Sequence, residues 1–384
     1  MDTVSSPPVP LRRIAREWAR LGVTGFGGPP THIQLLRTLC VERTGWLAAT
    51  EFEDAVAASN LLPGPASTQL AIYCARRAGG WRGAIVGGLG FILPGLIVIL
   101  ALSALLLGPE PSPWVLGAAA GAGAVIPAIA VRAGVTLMPA SLLRARGSTG
   151  LAWWVAAVAI GAVAAAVLGA WVVIALVGCG LIALAREQRT LGRGRPVTAL
   201  VVAGTLSAGG WLALAWTAFK VGALSYGGGF VIVPLMQSDA IEHHWLTKTE
   251  FLGAVALGQV TPGPVVQTVA VVGYGAAGLA GGVAASAIAF APSFVFVLAG
   301  GRHFDRVRTN PHAQAFLTGA GPAAIGAIVG SAVPLAFSLG VWWQAVVLAA
   351  GSLALLRRWP PLVVIVLGGA VGLALVALGA PVPR

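Results

Sequence analysis

Apolar runs of about 20 residues, separated by short polar segments, recur along the whole chain. A helix needs about 20 residues to cross the hydrocarbon core of a bilayer, because each residue adds about 1.5 Å to its length. The pattern therefore predicts an all-α integral membrane protein, a polytopic helical bundle. In the first half of the chain the runs lie near residues 14–36, 52–75, 83–107, 114–137, 150–168 and 170–185.

The composition excludes a water-soluble protein. The 384 residues are 57% hydrophobic and only 9% charged, whereas an ordinary soluble domain is about 25% charged. The net charge is +12, but the basic residues are scattered between apolar runs and form no continuous patch, so we expect no nucleic-acid partner. A chain of this length has room for about 12 to 14 spans.

The positions of Lys and Arg between the runs predict which side of the membrane each loop faces, because cytoplasmic loops are enriched in these residues. We place the N-terminus in the cytoplasm. Arg37 and Arg43, in the predicted outer loop 37–50, are then the exception. The other basic segments of the first half all fall on the cytoplasmic side, at residues 12–16, 76–82, 144–146 and 186–195.

The second half of the chain repeats motifs of the first half. The segment RLGVTGFGGP at 20–29 matches KVGALSYGGG at 220–229, at an offset of 200 residues. The segment NLLPGP at 60–65 matches QVTPGP at 259–264, at an offset of 199 residues. Several matches at a steady offset predict an internal duplication.

The two halves carry their basic loops on opposite sides. The basic loop 76–82 corresponds to residues 275–281, which contain no Lys or Arg. Conversely, the loop near 108–113 has no basic residue, and its counterpart carries Arg302, Arg306 and Arg308. The positive-inside rule therefore predicts that the second half is inverted relative to the first.

Two inverted halves of about six spans each need one further connecting span. We expect a first repeat at 11–190, a connector span at 197–217 and a second, inverted repeat at 218–384. The total becomes about 13 spans, with the N-terminus in the cytoplasm and the C-terminus outside. Inverted repeats with broken helices are typical of secondary transporters, whose substrate sites lie near the bilayer midplane.

Glycines and prolines interrupt two matching apolar runs. Glycine frees the backbone and proline removes an N–H donor, so we expect broken helices here. The N-terminus of a half-helix favours an anion. Alternatively, the glycines only allow close helix packing. The residues concerned are Gly27, Gly28 and Pro29 in the first run and Gly227, Gly228 and Gly229 in the second.

A basic residue precedes each of these interruptions. Arg20 and Lys220 each lie two residues before a repeated glycine. A cation at membrane depth is costly and usually functional, so both are candidates for binding an anionic substrate. Alternatively, they reach out to the membrane interface, a reading that fits Arg20 better because it is close to the start of its run.

The second repeated motif pairs a Pro-Gly-Pro break with uncharged hydrogen-bonding side chains. Such donors suit a dehydrated oxyanion better than a metal cation. The alternative is a proline kink with no role in binding. The candidate binding residues are Asn60, Pro63, Gly64, Pro65 and Thr68 in the first half and Gln259, Thr261, Pro262, Gly263 and Pro264 in the second.

Acidic residues are scarce in the apolar runs. Between Asp54 and Glu187 the only acid is Glu110, and after Glu250 the only acid is Asp305. We therefore expect no carboxylate at the centre of a span and no Asp/Glu relay for protons or sodium.

The remaining polar residues predict neither a metal site nor an enzyme. Glu51 and Glu250 occupy matching positions at the starts of two runs, where they either cap helices or couple protons. The five histidines lack ligand spacing, so we expect no bound metal. The chain contains no nucleophile elbow, P-loop or HExxH motif, and we expect no cofactor and no catalysis.

The motifs FGGPPTHI, LPGP and TPGP, with the duplicated half of about 190 residues, resemble the chromate ion transporter (CHR) family of the long-chain, two-domain type. The resemblance implies efflux of chromate, with sulfate as an analogue, across the bacterial cytoplasmic (inner) membrane and driven by the membrane potential or the proton motive force. It implies functional roles for Arg20, Gly27 to Pro29, Asn60, Pro63 to Pro65 and their second-half partners. The sequence departs at Gly229, where the first repeat has proline, and at Gln259, which pairs with Asn60.

The sequence thus favours a secondary transporter that exports chromate and confers chromate resistance, with an oxyanion and the lipid bilayer as its partners. Alternatives are an exporter or exchanger of another oxyanion such as sulfate, and a membrane subunit of a complex that does not itself transport. The coupling ion and the oligomeric state, including a homodimer, stay open, as does whether the broken segments span or re-enter.

Overall fold

The computed structural model describes residues 9–61, 64–148, 150–169, 172–190, 210–225, 232–300 and 310–383. Within these ranges the chain is helical and contains no β-strand, as expected of an all-α protein. The helices of the first half are α1 (Leu11–Thr24), α2 (Pro29–Arg37, continued by a π-helix at Thr38–Arg43), α3 (Ala49–Leu61), α4 (Ala66–Leu106), α5 (Pro113–Ala124), α6 (Ile126–Ser148), α7 (Leu151–Val163, continued by a π-helix at Ala164–Leu168) and α8 (Val172–Thr190).

The described helices of the second half follow the same order. They are α9 (Trp211–Leu224), α10 (Ile232–Glu242), α11 (Lys248–Val260), a 3₁₀ turn at Val265–Gln267, α12 (Thr268–Gly300), α13 (Pro311–Gly330), α14 (Ala332–Ala336), α15 (Trp342–Leu356) and α16 (Pro361–Ala377).

The two longest helices each contain a tight turn that reverses the chain. In α4 the turn is at Gly79 and Gly80, with φ of 66° and ψ of −160° at the second residue. In α12 it is at Ala277 and Gly278, with φ of 60° and ψ of −152°. A positive φ strains any residue with a side chain, which explains glycine at both second positions. The turns lie in the predicted loops 76–82 and 275–281.

The apolar run at 14–36 is broken between Thr24 and Pro29, as expected, and its two helices, α1 and α2, fold back on each other. The indole ring of Trp46, just after the end of the α2 π-helix, stacks on Trp18 with ring centroids 6.1 Å apart. The guanidinium of Arg13 lies 5.1 Å from the same Trp46 ring. The end of the second helix therefore returns to the first turns of α1, and the bend at 25–28 is the tip of a hairpin.

The predicted span at 52–75 is also two antiparallel helices. Glu51, in the first turn of α3, accepts a hydrogen bond from the Tyr73 hydroxyl at 3.2 Å and forms an ion pair with Arg77. Both partners lie at the far end of the first segment of α4, residues 66–78. The Pro-Gly-Pro segment is therefore a second hairpin tip.

The second half contains the matching pair of hairpins. Lys220 of α9 contacts Asp239 near the end of α10, so these helices are antiparallel. Gly275, near the end of the first segment of α12, packs against the backbone of Trp245 just before α11. The first of these hairpins is described as far as Ser225, and residues 226–231 lie outside the described part of the chain; the tip of the second hairpin lies at 261–264.

Glycine-lined contacts join helices of one half to helices of the other. Gly121 of α5 packs against the backbone of Gly368 and Gly372 in α16. Reciprocally, Gly326 of α13 packs against Val158 in α7, and Gly319 of α13 packs against α8. Small residues let membrane helices approach closely, which substitutes for the hydrophobic driving force that lipid does not provide.

Four helical stretches of the described chain are long and apolar enough to cross a membrane: Ala66–Leu106, Pro113–Leu143, Val265–Ala299 and Gln314–Ala336. Shorter apolar helices lie at Leu151–Val167, Trp211–Leu224, Trp342–Leu356 and Pro361–Ala377. The count of about 13 spans stays a prediction. Most of the expected connector, 197–217, lies outside the described residues, and its boundary at residue 217 falls inside α9.

Candidate functional site

The four hairpin tips meet in two reciprocal pairs. The backbone N–H of Gly263, in the second Pro-Gly-Pro segment, donates to the carbonyl oxygen of Gly25 in the first tip, at 2.9 Å. The backbone N–H of Gly64, in the first Pro-Gly-Pro segment, donates to the carbonyl oxygen of Ser225, also at 2.9 Å. Gly25 and Ser225 are equivalent positions of the repeat, as are Gly64 and Gly263. We call this meeting of the four tips the crossing.

Glycine is required at the crossing because the backbone there adopts positive φ. The φ angles are 99° at Gly27, 76° at Gly28, 114° at Gly64 and 96° at Gly263. Pro29 then occupies the first position of α2, where its missing N–H costs nothing. The glycine and proline pattern therefore produces sharp bends followed by new helix starts.

Several helix N-termini lie at the crossing. α2 begins after Gly28, α4 begins after Pro65, and the 3₁₀ turn that leads into α12 begins after Pro264. Gly28 packs against Val265, which brings the start of α2 next to the start of that turn. Backbone N–H groups and the positive ends of the helix dipoles face this region, so it favours an anion.

His32 is a buried part of the crossing that the sequence did not single out. Its Nε2–H donates to the carbonyl oxygen of Gly25 at 2.9 Å, the same oxygen that accepts from Gly263. Its ring packs edge-on against Phe91. The other nitrogen, Nδ1, is buried and has no hydrogen-bond partner among the described residues. The repeat supplies no counterpart, since the equivalent position is Ile232.

Thr68 and Gln267 occupy equivalent positions beside the two Pro-Gly-Pro tips, and both are fully buried. Gln267 Nε2–H donates to the carbonyl oxygen of Ile92 at 2.6 Å, and this bond links the tip to the second segment of α4. Within the described chain, the Thr68 hydroxyl and Gln267 Oε1 have no hydrogen-bond partner. Buried polar atoms are normally paired, so each of these calls for a ligand or a functional explanation.

Gln259 and Thr261 differ in what they can offer a ligand. The side-chain nitrogen of Gln259 is buried, and no described residue accepts its hydrogens. The hydroxyl of Thr261 instead donates to the carbonyl oxygen of Leu257 at 2.8 Å, at the end of α11. In this conformation Thr261 therefore keeps only acceptor capacity, whereas Gln259 retains free donors.

The two candidate cations occupy different environments. Arg20 is exposed on α1. Lys220 is largely buried, with its ammonium 2.6 Å from Asp239 Oδ2 and 6.0 Å from the centre of the Trp216 ring. Lys220 lies five residues before Ser225, which corresponds to about 7.5 Å along the helix.

Asp239 is a buried acid that the sequence did not single out. This residue is only 6% exposed, and its carboxylate also accepts a hydrogen bond from the Thr217 hydroxyl at 2.5 Å. The signal that could have identified Asp239 is its position in IVPLMQSDAIE, where most of the neighbouring residues are apolar. Asp239 lies near the end of α10 and not at the centre of a predicted span, so the expectation about span centres stays a prediction.

The matched acids Glu51 and Glu250 have structural partners. Glu250 forms a capping box with Thr247: its carboxylate accepts from the Thr247 N–H at 2.7 Å, and its own N–H donates to the Thr247 hydroxyl at 3.2 Å. Glu51 binds Tyr73 and Arg77 across its hairpin. Capping is confirmed for Glu250, whereas Glu51 closes the hairpin.

Some candidate residues lie outside the described part of the chain. These are Pro63, Gly227, Gly228 and Gly229, and the side chain of Asn60. Pro65, Pro262 and Pro264 are described and buried at the tips. Within the described ranges, no group of three or more His, Cys, Asp or Glu residues could hold a metal ion.

Comparison with known proteins identifies the family to which this chain belongs. The model of the chromate transporter family matches residues 12–184 and 212–373. This chain belongs to the chromate transporter family. The two matched segments begin one residue inside α1 and α9, which are equivalent helices of the repeat.

Curated members of the chromate transporter family are similar over most of their length. The chain is 31% identical to a chromate transport protein of Cupriavidus metallidurans over 369 residues, which cover 93% of this chain and 90% of that protein. It is 30% identical to a chromate transport protein of Pseudomonas aeruginosa, with 86% and 82% covered. A probable chromate transport protein of Synechococcus elongatus is 28% identical, with 86% and 85% covered. No solved structure matches.

Proposed function

We propose that this protein is a secondary active transporter that exports chromate, a tetrahedral dianion, from the cytoplasm and binds it at the crossing. The observation that carries the proposal is the convergence of helix starts and buried, unpaired polar groups at two reciprocal backbone contacts, Gly263 to Gly25 and Gly64 to Ser225. The names of the similar proteins support chromate as the substrate.

The chemistry of the crossing suits a dehydrated oxyanion. A dianion that leaves water needs donors for its four oxygens and a compensating positive potential. Thr68 offers a hydroxyl and Gln259 an amide nitrogen that are buried without described partners. The first-turn N–H groups of α2, α4 and the 3₁₀ turn add backbone donors and the positive ends of the helix dipoles.

Lys220 and Arg20 supply formal charge in this proposal. Lys220 is the principal cation, because it is largely buried and lies about 7.5 Å along α9 from the crossing. Arg20 is its equivalent in the first repeat and is exposed, so we assign it to one entrance. The glycines and prolines of the tips act through the backbone conformation that they allow.

Export of a dianion gains energy from an inside-negative membrane potential. Moving one charge through 100 mV is worth about 2.3 kcal/mol, so a dianion gains about 4.6 kcal/mol on leaving the cell. We propose that the potential is the main driving force and that export confers chromate resistance.

We further propose that the two repeats are inverted in the cytoplasmic (inner) membrane, the first at 11–190 and the second starting with α9. The N-terminus faces the cytoplasm and the C-terminus faces outside. The four hairpins re-enter from either side and meet at the midplane, so the number of complete spans is smaller than 13. Inverted repeats whose broken segments meet at the midplane are the pattern of many secondary transporters.

Uptake of chromate into inverted membrane vesicles tests the function. We expect wild-type vesicles to accumulate chromate when their interior is positive, because uptake into an inverted vesicle corresponds to export from an inside-negative cell. Lys220→Ala should lower the rate at least tenfold, because it removes the buried cation. Lys248→Ala removes an exposed lysine of the α11 start and serves as the matched control, with wild-type rates expected. Wild-type rates in Lys220→Ala would contradict the charge assignment.

A competition arm of the same assay separates chromate from other tetrahedral dianions. Sulfate has the same shape and charge, so we expect it to compete, with chromate bound more tightly. Failure of the wild-type protein to move any oxyanion, in vesicles and after reconstitution, would overturn the proposed function.

A further inference from the structure

Asp239 and Lys220 form a buried ion pair that only one of the two repeats contains. The ammonium and Oδ2 are 2.6 Å apart, and the side chains are 13% and 9% exposed. The positions equivalent to Asp239 in the first repeat are Leu39 and Cys40, at the two offsets of the repeat, and both are buried and uncharged. The basic residue is duplicated, therefore, but its acidic partner is not.

A structural role explains this pair poorly. Removing two charges from water costs several kcal/mol per ion, and a well-packed apolar pair often stabilises a protein as much or more. The first repeat joins α1 to the end of α2 without such a pair, through the contacts that Trp46 makes with Trp18 and Arg13. Charged groups that persist inside a membrane protein are, by default, functional.

We propose that Asp239 is a built-in counter-anion, which occupies Lys220 when the transporter is empty and is displaced when the oxyanion binds. This inference rests on the proposed function, in which Lys220 holds the substrate. The carboxylate and the oxyanion present the same kind of atom, a negatively charged oxygen, to one ammonium group. Thr217 keeps its hydrogen bond to Oδ2, so the displaced carboxylate retains a partner.

Competition for Lys220 makes the site selective for charge. A dianion that replaces a carboxylate increases the negative charge beside Lys220, so it displaces Asp239 more readily than a monoanion does. Chloride or nitrate offers only the charge that Asp239 already provides. Asp239 therefore excludes abundant monoanions, and it also speeds release of the dianion by returning to Lys220.

Asp239→Asn tests this role in proteoliposomes that contain the purified full-length protein. We expect the KM for chromate to fall at least tenfold, Vmax to fall because release is slower, and chloride to become an effective inhibitor. Asp239→Glu keeps the charge and should keep chloride a poor inhibitor. Glu250→Gln removes a carboxylate of the capping box and is the control, with KM and chloride sensitivity unchanged.

A second variant covers the case in which Asp239→Asn does not fold. Thr217→Val keeps both charges but removes the partner that holds the displaced carboxylate. The empty state retains Lys220 as a partner for Asp239, whereas the bound state retains none, so the KM for chromate should rise several-fold. If the ion pair only fastens α9 to α10, these variants should have lower thermal stability, while their KM for chromate and their inhibition by chloride should equal those of the wild type.

The failures of the two proposals are distinguishable. Absence of oxyanion transport by the wild-type protein overturns the proposed function. A different result overturns the counter-anion role alone. In that case the wild type transports and Lys220→Ala does not, but Asp239→Asn has the same KM for chromate and the same chloride inhibition as the wild type.

Discussion

At Thr68 the requirements of folding and of binding are opposed. Its hydroxyl is buried at the start of α4, without a hydrogen-bond partner among the described residues. An unpaired buried polar group costs about 1–3 kcal/mol. We therefore expect Thr68→Val to leave the thermal unfolding midpoint unchanged or higher while lowering the rate of chromate transport at least tenfold. Unfolding of the detergent-purified protein and vesicle uptake measure the two effects.

Thr261→Val is the matched control for this substitution. Its hydroxyl proton is already bonded to the Leu257 carbonyl, so the same change removes an existing hydrogen bond. We expect a small loss of stability, on the order of 1 kcal/mol, and a smaller loss of transport than in Thr68→Val. Equal transport rates in Thr68→Val and the wild type would show that the Thr68 hydroxyl does not contact the substrate.

The sequence predicted the backbone bends of the crossing better than it predicted which side chains pair across helices. Repeated glycines and prolines indicated broken helices, and Gly64 and Gly263 do lie at sharp bends with positive φ. The pairing of Lys220 with Asp239 was not predictable from spacing, because 19 residues separate them in sequence and a straight helix would place them far apart. Only the reversal of the chain between α9 and α10 brings them together.

At the scale of the element, hydropathy identified the apolar segments but not whether the chain continues straight or reverses within each of them. The runs 14–36 and 52–75 have the length of a span, yet each is two helices that fold back at a tip. A hydropathy window sums residues regardless of where the chain turns, so a hairpin and a straight span give the same value. The polar contacts that close the hairpins, such as Glu51 with Arg77, are tertiary and leave no periodic signal.

The glycine contact between α5 and α16 predicts a second stability effect. A side chain at Gly121 would meet the backbone of Gly368 and Gly372, which cannot move aside. We expect Gly121→Leu to separate the helices and abolish the monodisperse folded protein, as measured by size-exclusion chromatography after detergent extraction. Gly178→Leu is the control, because Gly178 of α8 has open space around it. Equal yields of monodisperse protein for both variants would contradict the packing argument.

For the whole molecule, the duplication was the most informative property of the sequence. It pairs Gly25 with Ser225 and Gly64 with Gly263, and these pairs make the two reciprocal contacts of the crossing. It also pairs the turn at Gly80 with the turn at Gly278. The contacts between the halves, such as α5 on α16 and α13 on α8, were not predictable, because small residues are abundant throughout the chain and do not specify a partner helix.

Inversion of the two repeats makes one prediction that labelling from each side of the membrane can test. The turns at 79–80 and 277–278 are equivalent in the repeat, so inversion places them on opposite sides of the membrane. Trp81 and Leu279 follow these turns and are 61% and 62% exposed, which makes them a matched pair. Replacing the buried Cys40, Cys74 and Cys179 by alanine gives a background without thiols.

We expect Leu279→Cys in this background to react with a membrane-impermeant maleimide in intact cells, because the second turn lies outside. Trp81→Cys should react only after the membrane is permeabilised, because the basic residues around it hold the first turn in the cytoplasm. Chromate uptake by each single-cysteine protein verifies that it is folded. Labelling of both turns from the same side would mean that the repeats are parallel, and the crossing could then not join hairpins that enter from opposite sides of the membrane.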